Sequence, residues 1–401
     1  MPPRPALRPA SRRANRRPHR DDHPAPGPSR PKRAVRARPA RLRPRSSGQR
    51  NQTRDRPVSH RALLPRTPDR LRAQPVLKEW SPAAQPAGYP DRIVFHLDGT
   101  PSADVASVLA GQAGYTPDFP TPGQLRDIEL LDPGLLHTEP LPNTDFLPLN
   151  TRAAPFNDLL VRQALNYAVD RNAIAALYGG LNDATPTCQI IPATIPGHVP
   201  YCPYTRDPSP NGRWTAPDLG RARRLIAVSR TRGESVALLT QAPSGPWDEP
   251  VGSYVVGVLR QLGYRAHLRV LTAQQWSVAV DNYRHPPQIV TSAWIADYPS
   301  ASQWITLELS CQEWRPPTLL NNHALFCDPT ADHLAVHASE LQPTNPLAAD
   351  RLWARADREI TNIAPWITTV TETETDLLAA RVGNYQYVPT FGPLLDQLWV
   401  R

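Results

Sequence analysis

The sequence predicts an α/β protein whose main sheet is mostly parallel and covered by helices on both faces. Two observations carry that prediction. Between Asp218 and Trp294, segments with a two-residue apolar period alternate with segments of helical period, joined by short connections. Such alternation implies right-handed crossovers between parallel strands. Ahead of it, Pro155 to Gly180 (PFNDLLVRQALNYAVDRNAIAALYGG) spaces its apolar residues for two short helices, buried on one side.

Composition divides the chain. Of 401 residues 40% are hydrophobic, enough for a sizeable core and for two or three domains. Met1 to Arg72 holds 22 Lys plus Arg against 4 Asp plus Glu, a net +18. The remainder has 23 basic and 32 acidic residues, a net −9, so the overall +9 belongs to the tail. That tail is rich in Pro, Arg and Ala and has no periodic apolar face. Residues 1–75 are therefore expected to be disordered, because they cannot bury enough apolar surface to offset the entropy of ordering. A nucleic-acid partner is not expected, since the body that would fold is acidic. No targeting signal is visible, the longest apolar run of the tail being Ala62 to Leu64. No stretch of 18 apolar residues suggests a transmembrane helix.

In order along the body, Arg92 to Leu97 is strand-like, and Ser102 to Gln112 is a helix with Val105, Val108 and Leu109 on one side. Leu135 to Glu139 and Asp145 to Asn150 are short extended pieces. Asn157 and Asp158 offer N-cap oxygens to the first organising helix, whose stripe is Val161, Ala164, Leu165 and Ala168. Asp170 caps the second helix, and Gly179 and Gly180 end it. Thr187 to Tyr204 (TCQIIPATIPGHVPYCPY) is too proline-rich for regular structure and is expected to be a long surface loop. Helices follow at Asp218 to Ser229, Val251 to Leu262 and Ala273 to Asp281, with strands at Ser235 to Thr240, Tyr264 to Leu271 and Gln288 to Trp294. Asn345 caps a helix from Pro346 to about Asn362, and Trp366 to Thr371 is a strand.

Four cysteines form two local pairs, Cys188 with Cys202 and Cys311 with Cys327. Each pair brackets an irregular loop, which favours local disulfides among the three possible connectivities. No closely spaced Cys pair supports zinc, so no metal is expected. The phosphate, dinucleotide, zinc-protease and nucleophile-elbow motifs are missing, and no nucleophile with its base can be argued. Neither catalysis nor a cofactor is expected.

Thr291 to Ile305 (TSAWIADYPSASQWI) stands out. Asp297 directly follows a strand, at the edge where open α/β sheets bind ligands, and Trp294, Tyr298 and Trp304 flank it. A carboxylate among aromatic rings suits capture of an ammonium. The same residues also fit a plainer role, with Asp297 capping the turn before Pro299 and the aromatics in the core.

PFNDLLVRQALNYAVDRNAIAALYGG and TSAWIADYPSASQW resemble the two most recognisable stretches of the extracellular solute-binding proteins of family 5, the peptide, dipeptide and nickel-type binding subunits of ABC importers. VLKEWSPAAQPAGYPDRIVFHL, SCQEWRPPTLLNNHALFCDP and VPTFGPLLDQLWVR add to the resemblance, and the PTCQ and PYCPY spacing is similar to that of actinobacterial members. It covers about Val76 to Arg401. It implies a periplasmic-binding-protein fold of class II, two lobes with mixed and parallel sheets, residues 76–150 and 372–401 forming part of lobe I and 155–371 forming lobe II. It further implies that Asp297 pairs with the α-amino group of a bound peptide, with Trp294 and Tyr298 beside it. The implied partners are a peptide or similar small solute and the permease and ATPase subunits of a transporter, outside the cytoplasm. Departures from the family are the missing signal peptide, the basic tail where roughly half of lobe I would stand, and Gly114 where many members carry an acid. With lobe I truncated, one wall of the cleft is incomplete, as in a degenerate fragment. A second functional class, the cytoplasmic ligand-sensing domain of a transcriptional regulator, fits the missing signal and is opposed by the cysteines.

Overall fold

The computed structural model describes residues 58–59, 69–73 and 88–401, apart from 98, 119, 243–247, 283 and 314–320. The sequence expectations for most of the basic tail and for the VLKEW stretch lie outside the described residues.

The strands Val58–Ser59 (β1), Asp69–Ala73 (β2) and Arg92–Phe95 (β3) pair antiparallel in that order. β3 fulfils the expected strand, whereas β1 and β2 fall inside the stretch expected to lack structure. Helix Pro101–Leu109 (α1) has Pro101 in its first turn, is capped by Thr100 and buries Val105 and Val108. After Tyr115–Thr116 (β4) comes a helix the apolar period does not reveal, Pro122–Leu131 (α2). Its start is nonetheless written locally: Thr121 and Gln124 form a reciprocal capping box, followed by proline. Leu136–Pro140 (β5) and Asn143–Pro148 (β6) are the two extended pieces.

The organising helices are Leu159–Ala168 (α3), capped by Asp158, and Arg171–Leu177 (α4), capped by Asp170. Gly179 and Gly180 follow at φ +116° and +127°. Next come Ala184–Pro186 (β7), Leu219–Ser229 (α5), Ser235–Gln241 (β8), Asp248–Gln261 (α6), Arg265–Leu271 (β9) and Ala273–Val280 (α7). The chain continues through Ile289–Val290 (β10), Ser292–Ile295 (β11), Ser302–Leu309 (α8), Pro329–Leu341 (α9), Pro346–Ile363 (α10), Trp366–Thr368 (β12) and Val370–Leu378 (β13).

Three sheets bear on function, and they correct two expectations. The parallel sheet has only three described strands, in order β10-β8-β9, and the others are antiparallel: β11-β6-β12 and β4-β13-β5. The single strand expected from Gln288 to Trp294 is in fact two. β10 pairs with β8, and the Thr291 amide still donates to the Leu239 carbonyl at 3.0 Å, after which β11 turns onto β6 in a different sheet. Likewise the strand at Trp366 to Thr371 is β12 followed by the longer β13. β13 is shared: Val370, Thr371 and Glu372 pair with β7, and Thr373 to Leu377 pair with β5.

α3, α5 and α6 pack on the parallel sheet around Leu165, Ile226, Val255 and Leu238, while Trp304, Trp353, Ile360 and Phe326 centre a second core beneath α8, α9 and α10. Residues 187–204 are irregular, as expected, but they are no surface loop: Ile190, Ile191 and Ile195 belong to that second core. Side chains replace the missing strand pairing. The Asp357 carboxylate accepts from the Ile190 amide (3.0 Å) and from Gln189 Nε2 (2.9 Å), and Gln189 Oε1 accepts from the Tyr201 amide (2.6 Å). A buried irregular segment is tolerable only when its polar backbone finds such partners. Both cysteine pairs are bonded locally, Cys188–Cys202 and Cys311–Cys327.

Gly197 sits in this segment at φ +93°, and a Cβ there would lie 2.8 Å from the Cβ of Trp353. Gly197→Ala is expected to lower stability by about 1–3 kcal/mol, since strain and overpacking act together. Urea denaturation midpoints measure this.

Candidate functional site

Asp297 lies two residues beyond β11, where Ile295 faces Asn143 across the sheet and the Ala296 amide donates to the Pro142 carbonyl at 2.9 Å. It therefore stands at the end of an antiparallel strand, beside the start of β6, and not at the carboxyl edge of the parallel sheet. Gln303, buried at the start of α8, holds the turn: its Oε1 accepts from the Asp297 amide (3.1 Å) and from Trp294 Nε1 (3.4 Å). The Asp297 carboxylate is exposed and has no side-chain partner among the described residues. Trp294 is half-buried and packs against the second core. Tyr298 is exposed, with its hydroxyl 3.3 Å from Ser302 Oγ. Trp304 is a core residue with no exposure, so the plainer reading holds for that ring. The structure thus places Asp297 and Tyr298 in one turn directly after Trp294 of β11 and leaves the carboxylate exposed.

Next to this turn lies a cluster that the sequence reading did not single out. Asn143 Nδ2 donates to both Glu372 Oε1 (2.9 Å) and Asp145 Oδ2 (3.3 Å), and the Glu372 amide donates back to Asn143 Oδ1 (2.8 Å). Burial pushes the carboxyls of Asp145 and Glu372 upward from their ordinary range, and for Asp145 the Glu372 charge adds to the effect.

β13 continues the acidic row. Glu372, Glu374 and Asp376 occupy alternate positions and so share one face. Across the register His137 faces Asp376 and Glu139 faces Glu374. Asp376 accepts from Tyr115 (2.8 Å) and Tyr385 (2.6 Å), and Glu374 accepts from Tyr387 (3.3 Å). The His137 ring stacks on Tyr385 with centroids 4.0 Å apart. Burial lowers the His137 pKa, opposed by the Asp376 and Glu139 charges, and raises those of Tyr115, Tyr385 and Tyr387. The signal was present in the sequence as TETETD, Thr371 to Asp376, an alternation that marks a strand with one acidic face.

At the opposite end of β6 from Asp297, a cavity of 330 Å³ is lined by Thr151, Arg152, Asn157, Arg162 and Asp328 among others. Its buried Arg162 is committed to the fold, donating to the carbonyls of Ile363 (3.0 Å) and Phe156 (2.9 Å). No group of His, Cys, Asp and Glu among the described residues is arranged to hold a metal ion.

The chain is similar to the glutathione-binding protein GsiB of Salmonella paratyphi A, 24% identical over 255 residues, which are 63% of this chain and 46% of that protein. The Escherichia coli GsiB is also 24% identical, over 251 residues. The chain thus spans about half the length of these relatives. Among solved structures, clavulanic acid biosynthesis oligopeptide binding protein 2 superposes with a TM-score of 0.73 at 20% identity, covering 86% of this chain and 62% of that one. The periplasmic binding protein DppA of Helicobacter pylori, in complex with the peptide STSA, superposes with a TM-score of 0.63 at 18% identity, over 86% and 62% of the two chains. These likenesses show the fold, and the proteins concerned are binding proteins by name. The sequence profile described as bacterial extracellular solute-binding proteins, family 5, matches residues 78–315, more than half of the chain, which therefore belongs to that family.

Proposed function

We propose that this chain is the substrate-binding component of an ABC transporter, taking up peptides or similar small solutes without chemical change. The carrying observation is the exposed carboxylate of Asp297, whose backbone amide Gln303 holds in a turn with Trp294 and Tyr298 nearby, in a chain of this family. In this reading residues 76–150 and 372–401 contribute lobe I and 155–371 contribute lobe II, and the ligand ammonium is captured by Asp297 as the lobes close. Ligand binding then shifts an open–closed equilibrium that permease and ATPase subunits sense. Two local disulfides favour an oxidising compartment outside the cytoplasm over a cytoplasmic sensor.

Calorimetry with glutathione and with a short peptide, each with its amino group free or acetylated, tests the site. Asp297→Ala is expected to weaken binding of the free-amine ligand about tenfold or more and to abolish the preference over the acetylated form. Equal affinity of wild type and variant for the free amine would sink the assignment.

A further inference from the structure

The Asp145 and Glu372 side chains sit where two sheets meet. Asp145 is on β6, within the β11-β6-β12 sheet, and Glu372 is the last residue of β13 paired with β7 before that strand passes to β5. The join is short, because the Leu141 amide donates to the Glu372 carbonyl at 2.9 Å. Both carboxyl groups lie within hydrogen-bond distance of the single Asn143 Nδ2, which places them close together. Asp145 is 6% exposed.

Among the described residues no cation acts on this pair. Tyr178, just past α4, donates its hydroxyl to Asp145, and Asp248, the first residue of α6, adds a further negative charge facing both groups. Across the ladders, β11 sets Ala293 opposite Asp145, and β7 sets Ala184 opposite Glu372. The buried cation of α4, Arg171, is directed to the carbonyls of Thr187 and Thr368. Two carboxylates this close, Asp145 buried and Glu372 half-buried, beside a third acid, cannot both ionise without a large penalty.

We propose that Asp145 and Glu372 form a carboxyl–carboxylate pair that holds one shared proton in the folded protein, a proton lock where the two sheets join, so that the fold tightens as pH falls. A proton taken up by the folded chain and already lost by the unfolded one makes folding more favourable at lower pH. The contribution is full below the unfolded carboxyl value, about 4, and is lost as pH rises through the higher folded value. This runs against the usual acid destabilisation of proteins. The proposal is independent of the ligand-binding reading, since no readout needs a ligand.

Thermal unfolding of the whole chain from about pH 8 to about pH 5 provides the test, with Asp145→Asn and Glu372→Gln beside wild type. The wild-type midpoint is expected to rise as pH falls. Either amide variant, which needs no shared proton, should lose most of that rise and be at least as stable as wild type at the alkaline end. Infrared spectra at neutral pH should show a protonated-carboxyl absorption that weakens in Asp145→Asn. The buried Glu308 carboxyl, pushed upward by burial, and the His323 and His137 rings, pushed downward by burial, contribute equally to wild type and variants and cancel in the difference. Variants that keep the wild-type slope and absorption would overturn the proposal. Should one variant fail to fold, the other, compared with wild type, still decides.

Discussion

Arg171→Ala is expected to cost about 3–5 kcal/mol of folding free energy, since it strands several buried acceptors and empties a large site at once. Arg171 has no exposure at all. Its Nε donates to the carbonyls of Thr187 (2.8 Å) and Thr368 (2.9 Å), Nη1 donates to the Asn166 carbonyl (3.1 Å), and Nη2 donates to Asn166 Oδ1 (3.1 Å). One guanidinium thereby ties α4 to α3, to the end of β12 and to the start of the irregular 187–204 segment. Burial lowers its pKa to about 10, opposed by Tyr254 and Asp170, so it stays charged near neutrality. Removing a buried charge relieves a desolvation penalty, and that relief opposes the loss. The loss wins here because a methyl group leaves the acceptors of three segments with no donor and no access to water. Arg171→Lys, which keeps the charge but not the planar fork, should recover only part of the stability. Urea denaturation of the three proteins measures the series, and a cost below about 1 kcal/mol for the alanine would show that water replaces the guanidinium.

Removal of the Cys188–Cys202 disulfide, as the double Cys→Ala variant, is expected to cost about 3 kcal/mol, the loop-closure entropy of some 15 residues in the unfolded chain. The native segment should persist, because Asp357, Gln189 and the isoleucines hold it independently. The loss should therefore appear as a lower denaturation midpoint with an unchanged near-ultraviolet spectrum, and reductant, which also opens Cys311–Cys327, should lower the wild-type midpoint at least as far. An altered native spectrum would mean that the disulfide shapes the folded segment and does not act on the unfolded chain alone.

Much of the architecture was legible wherever a local rule and a buried face agree. Asp158, Asp170 and Asn345 cap the helices expected of them, Asp218 caps the helix expected to begin at it, and β8, α6 and β9 fall where the two periods alternate. What escaped was decided by partners distant in sequence. IVTSAWI carries no mark showing that the chain changes sheets at Thr291, because each half alternates correctly for its own sheet. Residues 187–204 look like a surface loop since their proline content forbids strand pairing. Their burial rests on Asp357, some 167 residues away. α9 went unread although Asp328 caps it and proline opens it, because its buried residues are alanines and give a weak stripe. At the candidate site, Asp297 with its aromatic neighbours was legible as a motif. The carboxyl pair beside it was not, because Asp145 and Glu372, far apart in sequence, come together beside Asn143 only once the sheets have formed.

The sharing of β13 between two partners bears on how this protein can change over evolutionary time. Surface loops tolerate insertions, but a strand read by β7 along one part and by β5 along the next does not. Deleting Thr373 would leave Val370 to Glu372 in place and turn Glu374 and Asp376 to the opposite side, away from Tyr115, Tyr385 and Tyr387. Descendants of this chain are thus free to vary its acids one at a time, while the length of β13 across its two partners is frozen.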